Sequence, residues 1–229
     1  MKHIKMKVKP SHESTLYISN SSYYLKNRNQ AEGESDLAKI ASTAKMEANW
    51  IFYQDTNNWL YLNTRHKNEF LVDGEFAMGS LWLPVYESPL GKVPVYYHIH
   101  PDFFVETMMQ DKSISDSPQI QGNPELQRTI RDMWYAWTSL PSEDDFRLIT
   151  GSSKGYEHRI VTTIGVFILR CNSKFSTVQI EDYDEFMKGG TDPNTFVKEG
   201  FTIGLEKILE HVNRNLNGYV SINYKFHPR

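Results

Sequence analysis

The sequence predicts a single α+β domain of 229 residues. With 39% of its residues apolar and 13% aromatic, the chain has enough apolar side chains for one folded core. Segments in which apolar residues recur at helical intervals are interspersed with segments in which every second residue is apolar or aromatic. No internal repeat is visible. These observations together predict a mixture of helices and strands within one domain.

The amino-terminal 35 residues predict short strands and a linker. Ile4, Met6 and Val8 alternate with lysines, as in a charged edge strand, and 16–18 is expected to pair with them. From Asn20 to Ser35 the composition is polar, which predicts a mobile connection. A helix is then expected over about 36–46, where apolar residues recur at helical spacing after a Ser-Asp start signal.

An aromatic hairpin is predicted next, with strands at 50–53 and 59–62 around a polar turn. Extended segments are predicted at 76–86 and 93–99. The second of these runs into His98-Ile99-His100-Pro101, where the proline ends the ladder because it has no N–H to donate.

Residues 102–140 are predicted to form a loop followed by an amphipathic helix from Pro124 to about Trp137. A short helix is expected after Ser142. The other predicted elements are strands at 158–163, 165–171 and 177–180, a helix over about 192–216, and a final strand at 219–226.

The composition argues against several classes of function. The 25 basic and 28 acidic residues give a net charge of −3, and no basic stripe is interleaved with aromatics, so we expect no nucleic-acid binding. The longest apolar run, Ile164–Leu169, is too short to cross a membrane, and the amino terminus lacks the apolar segment of a signal peptide. The single cysteine, Cys171, is expected to be buried and inert, and a cytoplasmic location is expected.

His98 and His100 are the clearest candidates for metal ligands. Residues two apart on a strand project from the same face, so the two imidazoles can meet one ion. Zinc binds imidazole and carboxylate at about 2.0–2.2 Å, and a catalytic site usually has three protein ligands and one open position. Asp145, in the arrangement Ser142-x-x-Asp145, is the candidate third ligand, and Glu47 is the candidate base.

Alternatives exist for each of these residues. Ser142-x-x-Asp145 also fits a helix cap, which is compatible with metal binding. Glu75 and Glu87 also precede the histidines, although the position of Glu47 between a helix and a strand favours it. The remaining histidines lack paired spacing and are expected to be surface groups or satisfied core groups: His3, His12, His66, His158, His211 and His227.

The ordered set of Glu47, His98-x-His100 followed by proline, and Ser142-x-x-Asp145 resembles the signature of the JAMM/MPN-type (JAB) zinc metalloproteases. The resemblance implies a JAMM/MPN-like, cytidine-deaminase-like mixed β-sheet flanked by helices. It also implies a zinc peptidase or isopeptidase acting on a peptide or a ubiquitin-like conjugate. His98, His100 and Asp145 would hold Zn2+, Glu47 would deprotonate the bound water, and Ser142 would help to stabilise the oxyanion.

The spacing departs from the family pattern. The family's histidine and Ser-x-x-Asp elements lie close together, whereas Ser142 follows His100 by 42 positions, so residues 102–140 are interpreted as an insertion. This insertion could act as a lid or bind a protein partner. Family members without the ligands serve as scaffolds, so the alternative hypothesis is a non-catalytic MPN-like interaction module. Residues 151–155 match a Gly-x-Ser-x-Gly elbow, but the strand expected after them favours a loop.

Overall fold

The central feature of the fold is a mixed β-sheet. The strands, in chain order, are β1 (Asn49–Tyr53), β2 (Asn58–Leu62), β3 (Leu71–Val72), β4 (Glu75–Phe76), β5 (Val95–Ile99), β6 (Glu157–Val161), β7 (Gly165–Cys171) and β8 (Val220–Phe226). Six of them form one sheet in the order β2-β1-β5-β6-β7-β8, while β3 and β4 pair with each other. Within the large sheet β5 and β6 run parallel, and the other neighbouring strands are antiparallel.

A computed structural model describes residues 25, 27–45, 47–62, 71–72, 75–76, 94–142, 145–146, 149, 155–172, 199–216, 218 and 220–227. Its helices are α1 (Gln30–Ala41), α2 (Phe103–Met109), α3 (Lys112–Ser115), α4 (Pro118–Gln121), α5 (Pro124–Ser139) and α6 (Phe201–Asn215). In this part of the chain, no helix is long and apolar enough to cross a membrane.

Helices cover both faces of the sheet, and apolar side chains on each face form a core. Because side chains alternate along each strand, one set faces α1 and the other faces α5 and α6. The first core contains Leu37, Ile40, Trp50, Phe52, Tyr97 and Ile99. The second contains Ala136, Ile160, Phe167, Leu169, Ile208 and Val212. The predicted α+β class is therefore confirmed, with a mixed sheet flanked by helices.

Helix α1 begins at Gln30 and ends at Ala41, so the prediction of a mobile connection up to Ser35 and a helix over 36–46 was wrong in its boundaries. The physical reason is a capping box. The Asn29 side chain accepts a hydrogen bond from the backbone N–H of Glu32, and the Glu32 carboxylate accepts one from the Asn29 N–H. Polar residues thus start this helix rather than interrupt it.

Residues 102–140 contain more helix than the sequence predicted. The helix predicted from Pro124 is confirmed as α5, but the preceding segment forms α2, α3 and α4 instead of a loop. Its Ser, Asp and Pro residues start the short helices: the Asp111 carboxylate accepts from the Ser113 N–H, and Pro118 is the first residue of α4. The whole segment belongs to the crossover that two parallel strands such as β5 and β6 require.

The other local predictions are mostly confirmed. The aromatic hairpin forms as β1 and β2, and the strands expected near 93–99, 158–163, 165–171 and 219–226 are present. Cys171 is buried, as predicted. The described part of the predicted long helix is α6. The strands predicted at 4–8, 16–18 and 177–180, and the part of the predicted 76–86 strand beyond Phe76, lie outside the described residues.

Candidate metal centre

The two candidate histidines lie at the carboxyl end of β5 and are both buried. His98 is the fourth residue of the strand and is 1% exposed, and His100 follows the strand and is 6% exposed. The backbone N–H of His100 donates to the Val161 carbonyl at 3.0 Å, which prolongs the ladder with β6 beyond the last strand residue. Extended backbone therefore continues through both residues and directs the rings to the same face.

The Nε2 atoms of the two rings lie 2.9 Å apart, and the Asp145 carboxylate lies beside them. Its Oδ1 is 3.5 Å from Nε2 of His98, and its Oδ2 is 3.9 Å from Nε2 of His100. Asp145 is 5% exposed, so all three groups converge in the interior of the protein. The 42 positions between His100 and Ser142 thus do not separate the predicted ligands in space.

These separations are suited to a small metal ion. Bonds of about 2.0–2.1 Å in a tetrahedral arrangement place neighbouring ligand atoms about 3.3 Å from one another. The observed 2.9, 3.5 and 3.9 Å lie on both sides of that value. Glu47, His98 and His100 form one group with ligand atoms mutually within 4.8 Å, and His98, Asp145 and His158 form another. His98 belongs to both groups, so the residues present fit a metal ion beside His98, and each of the other four residues is a candidate further ligand.

Glu47 reaches the cluster because of strand register. In the antiparallel pair of β1 and β5, Asn49 lies opposite His98 and Trp50 opposite Tyr97. Continuing that register two positions beyond Asn49 brings Glu47 opposite His100. Its Oε1 lies 3.7 Å from Nε2 of His100, and its side chain is 17% exposed, against 6% for the His100 side chain. Solvent therefore reaches the cluster from the side of Glu47.

Ser142 and Asp145 form the reciprocal cap that their spacing predicts. The backbone N–H and the hydroxyl of Ser142 donate to Asp145 Oδ2 at 2.7 and 2.8 Å. The Asp145 N–H lies 3.3 Å from Ser142 Oγ and donates to it. This box turns Oδ1 towards His98, so one carboxylate takes part in both the cap and the cluster. The Ser142 hydroxyl donates its hydrogen bond to Asp145 here. The predicted role of Ser142 in stabilising an oxyanion therefore stays a prediction.

The tautomer of His100 is set by helix α5. Nδ1 of His100 donates to the Thr138 carbonyl at 2.9 Å. Thr138 lies in the last turn of α5, where backbone carbonyls lack helical partners. Burial lowers the pKa of His100, so the ring is neutral and its Nε2 carries a lone pair directed at the cluster. A ring nitrogen bonded to a backbone carbonyl is a typical arrangement for a metal-binding histidine.

His158 also lies at this site, although the sequence predicted a surface group or a satisfied core group at this position. It lies on β6 with 0% exposure, and its Nε2 is 2.7 Å from Nδ1 of His98. Burial, followed by the adjacent His98 ring, lowers the pKa of His158 to about 3, so this imidazole is neutral at physiological pH. The sequence signal, a histidine in a predicted strand, became informative only once β6 was placed beside β5.

The structure brings together all five predicted site residues: Glu47, His98, His100, Ser142 and Asp145. The alternative base Glu87, the side chain of Glu75 and residues 151–154 of the elbow-like segment lie outside the described residues. Comparison of the chain with protein-family models, curated proteins and solved structures gave no match.

Proposed function

We propose that the protein is a zinc-dependent metallopeptidase or isopeptidase that hydrolyses a peptide or a ubiquitin-like conjugate. The observation that carries the proposal is the convergence of two buried imidazole Nε2 atoms and the Asp145 carboxylate, with the Glu47 carboxylate on the more exposed side. This is the ligand set, and the position of the base, that the resemblance to JAMM/MPN-type enzymes implies.

The donor atoms favour zinc over other common ions. Two imidazoles and one carboxylate suit zinc, whereas magnesium and calcium prefer sets made wholly of oxygen. Three protein ligands would leave a fourth position for water or substrate. When bound, zinc would supply Lewis-acid chemistry by polarising a carbonyl group and acidifying water to a pKa near 7.

We assign proton transfer during hydrolysis to Glu47. Its Oε1 lies 3.7 Å from Nε2 of His100, and its side chain is more exposed than those of His98, His100 and Asp145. A carboxylate there can take a proton from the attacking water and deliver it to the leaving amine, which makes that amine a better leaving group. Its partial exposure puts it where water and a peptide chain would enter.

The remaining residues hold the ligands in position. Ser142 orients Asp145 through two hydrogen bonds, and the end of α5 orients His100 through the Thr138 carbonyl. Partners of this kind typically change metal affinity or activity 10- to 100-fold, as an order of magnitude, when they are removed. The proposal therefore assigns binding to His98, His100 and Asp145, proton transfer to Glu47, and orientation to Ser142.

Zinc binding and hydrolysis measured on the same protein test this proposal. We expect about one zinc per chain by elemental analysis, and cleavage of an isopeptide-linked ubiquitin-like conjugate or of a member of a peptide library. His98→Ala is expected to abolish both properties, because it removes a ligand from a three-residue site. His211→Ala, which removes an imidazole from α6, is the matched control and should change neither.

A folded protein that cannot be loaded with zinc would contradict the proposal. So would a His98→Ala variant with undiminished zinc content, since the metal would then be bound elsewhere. Stoichiometric zinc without cleavage of any conjugate or peptide would favour the alternative of a non-catalytic interaction module.

A further inference from the structure

We propose that His158 is a positioning residue for the metal centre: its Nε2 accepts a hydrogen bond from Nδ1–H of His98 and so holds the His98 proton on Nδ1, away from the Nε2 atom that would bind the ion. This inference rests on the metal site of the proposed function and assigns to it a residue on a different strand, outside the motif. His158 does not touch the ion or the substrate in this role.

The geometry of the two rings is that of a direct hydrogen bond. Nδ1 of His98 and Nε2 of His158 are 2.7 Å apart, and the ring centroids are separated by 4.8 Å at an interplanar angle of 56°. Both side chains are buried, so solvent does not compete for this contact. The parallel register sets Tyr96 against His158 and His98 against Ile160, which places the two histidines diagonally on one face.

The direction of the hydrogen bond follows from the requirement for a ligand lone pair. A neutral imidazole carries one proton, so a metal-binding Nε2 on His98 requires that proton to be on Nδ1. A buried N–H without an acceptor is costly, and Nε2 of His158 is an acceptor within reach. His158 must then carry its own proton on Nδ1. The Nδ1–H of His100 has a different acceptor, the Thr138 carbonyl.

Packing alone does not account for a histidine at this position. Nδ1 of His158 is buried and has no hydrogen-bond partner among the described residues. Leaving such a polar group unsatisfied costs about 1–3 kcal/mol, which an aliphatic residue like the neighbouring Ile160 would avoid. The hydrogen bond between Nε2 of His158 and Nδ1 of the candidate ligand His98 explains why a histidine occupies this position.

Substitutions that keep or remove the acceptor test the inference. His158→Gln retains a carbonyl oxygen near the position of Nε2, whereas His158→Phe keeps a ring and removes the acceptor. We expect His158→Phe to weaken zinc affinity roughly 10- to 100-fold, measured by competition with a chelating dye, and His158→Gln to recover most of that loss. Ile222→Ala, in the same apolar core but on β8, two strands away from β6, is the control and should lower the melting temperature while changing zinc affinity by less than about threefold.

A second readout reports the hydrogen bond itself. Nitrogen-15 NMR of the zinc-loaded wild-type protein should show the His98 proton on Nδ1. His158→Asn serves if His158→Phe fails to fold, because its shorter amide does not reach the position of Nε2, and we expect it to lose affinity where His158→Gln does not.

Three outcomes would overturn the inference. The first is a folded His158→Phe or His158→Asn variant that binds zinc as tightly as the wild type, which would leave the proposed function standing. The second is a His98 proton on Nε2 in the zinc-loaded protein. The third is a wild-type protein that binds no zinc, which would overturn the inference and the proposed function together.

Discussion

Glu47 shows how strand pairing selects one side chain for a site. Its order along the chain and its position between a helix and a strand predict that Glu47 lies beside the histidines; its role as the base stays a prediction. The physical cause is the antiparallel register of β1 and β5, which aligns position 47 with position 100. That register depends on hydrogen bonds between segments about 50 residues apart, so the distance of 3.7 Å from His100 could not be predicted from local sequence.

A Glu47→Gln substitution is predicted to separate metal binding from catalysis. The amide cannot accept the proton of the attacking water, so kcat should fall by about 10²- to 10⁴-fold, while zinc content stays near that of the wild type. Steady-state kinetics together with elemental analysis of the same preparation would measure both effects. Glu210→Gln, an exposed surface change on α6, is the matched control. Retained turnover in Glu47→Gln would show that another group is the base.

His158 marks the limit of residue-level prediction. It lies 60 positions from His98, on a strand joined to β5 by a long crossover. The paired spacing that identified His98 and His100 is a property of one strand, and it contains no information about the neighbouring strand. A histidine contributed by a parallel neighbour is therefore found only after the sheet order is known.

At the scale of elements, α5 is part of the support of the site as well as of the core. Its apolar spacing predicted the helix, and Ala136 and Trp137 pack against the core on the α5 side of the sheet. Its last turn supplies the Thr138 carbonyl to His100. This contact could not be predicted from the pattern of side chains, because the acceptor is a backbone carbonyl. A protein partner at residues 102–140 stays a prediction.

Helix α5 is also tied to the end of β5 through Asp102. The Tyr135 hydroxyl and the Thr163 hydroxyl both donate to Asp102 Oδ1, the second over 2.9 Å. The Asp102 N–H in turn donates to the Ala41 carbonyl at the end of α1. One carboxylate thus connects α5 with the turn after β6, and its backbone connects the same point with α1.

Tyr135→Phe is predicted to loosen this connection. A hydrogen bond to a charged group contributes about 1.5–3 kcal/mol, so the free energy of unfolding should fall by an amount in that range. Urea denaturation of the zinc-free protein would measure it. Thr163→Val, which removes the other donor to Asp102 without changing α5, is the companion variant and should also destabilise. Unchanged stability in both variants would mean that Asp102 does not hold α5 in place.

The elements that sequence predicted best are those with a strong local apolar period, such as the aromatic hairpin, α5 and β7. Those it placed poorly depend on polar contacts. The start of α1 is fixed by the capping box of Asn29 and Glu32, and the Asp111 cap and Pro118 begin short helices where a loop was expected. A polar segment can therefore be helical when its side chains satisfy the backbone at the helix end.

In the molecule as a whole, side chains along β5 point alternately to the two faces of the sheet, and this explains why the candidate site lies beside an apolar core. Tyr97 and Ile99 face the core with α1, whereas His98 faces the side covered by α5 and α6. The α+β class followed from local patterns. The sheet order did not, because pairing between strands distant in the chain depends on contacts that no local period reveals.

Zinc is predicted to stabilise the whole protein, because its proposed ligands come from β5, the turn after it and the segment beyond α5. Free zinc at about 100 times the dissociation constant would stabilise the folded state by about 2.7 kcal/mol. For a domain of this size the melting temperature should rise by roughly 5–10 °C, measurable by differential scanning calorimetry with and without a chelator. His98→Ala should remove the effect. An equal rise in that variant would point to zinc bound at another site.

The most direct test of the proposed metal site is a crystal structure of the zinc-loaded protein with anomalous data collected at the zinc absorption edge. We expect one strong peak at about 2.0–2.2 Å from Nε2 of His98, from Nε2 of His100 and from a carboxylate oxygen of Asp145. A loaded protein with the anomalous peak elsewhere, and with the His98 and His100 rings joined only by a hydrogen bond, would contradict it.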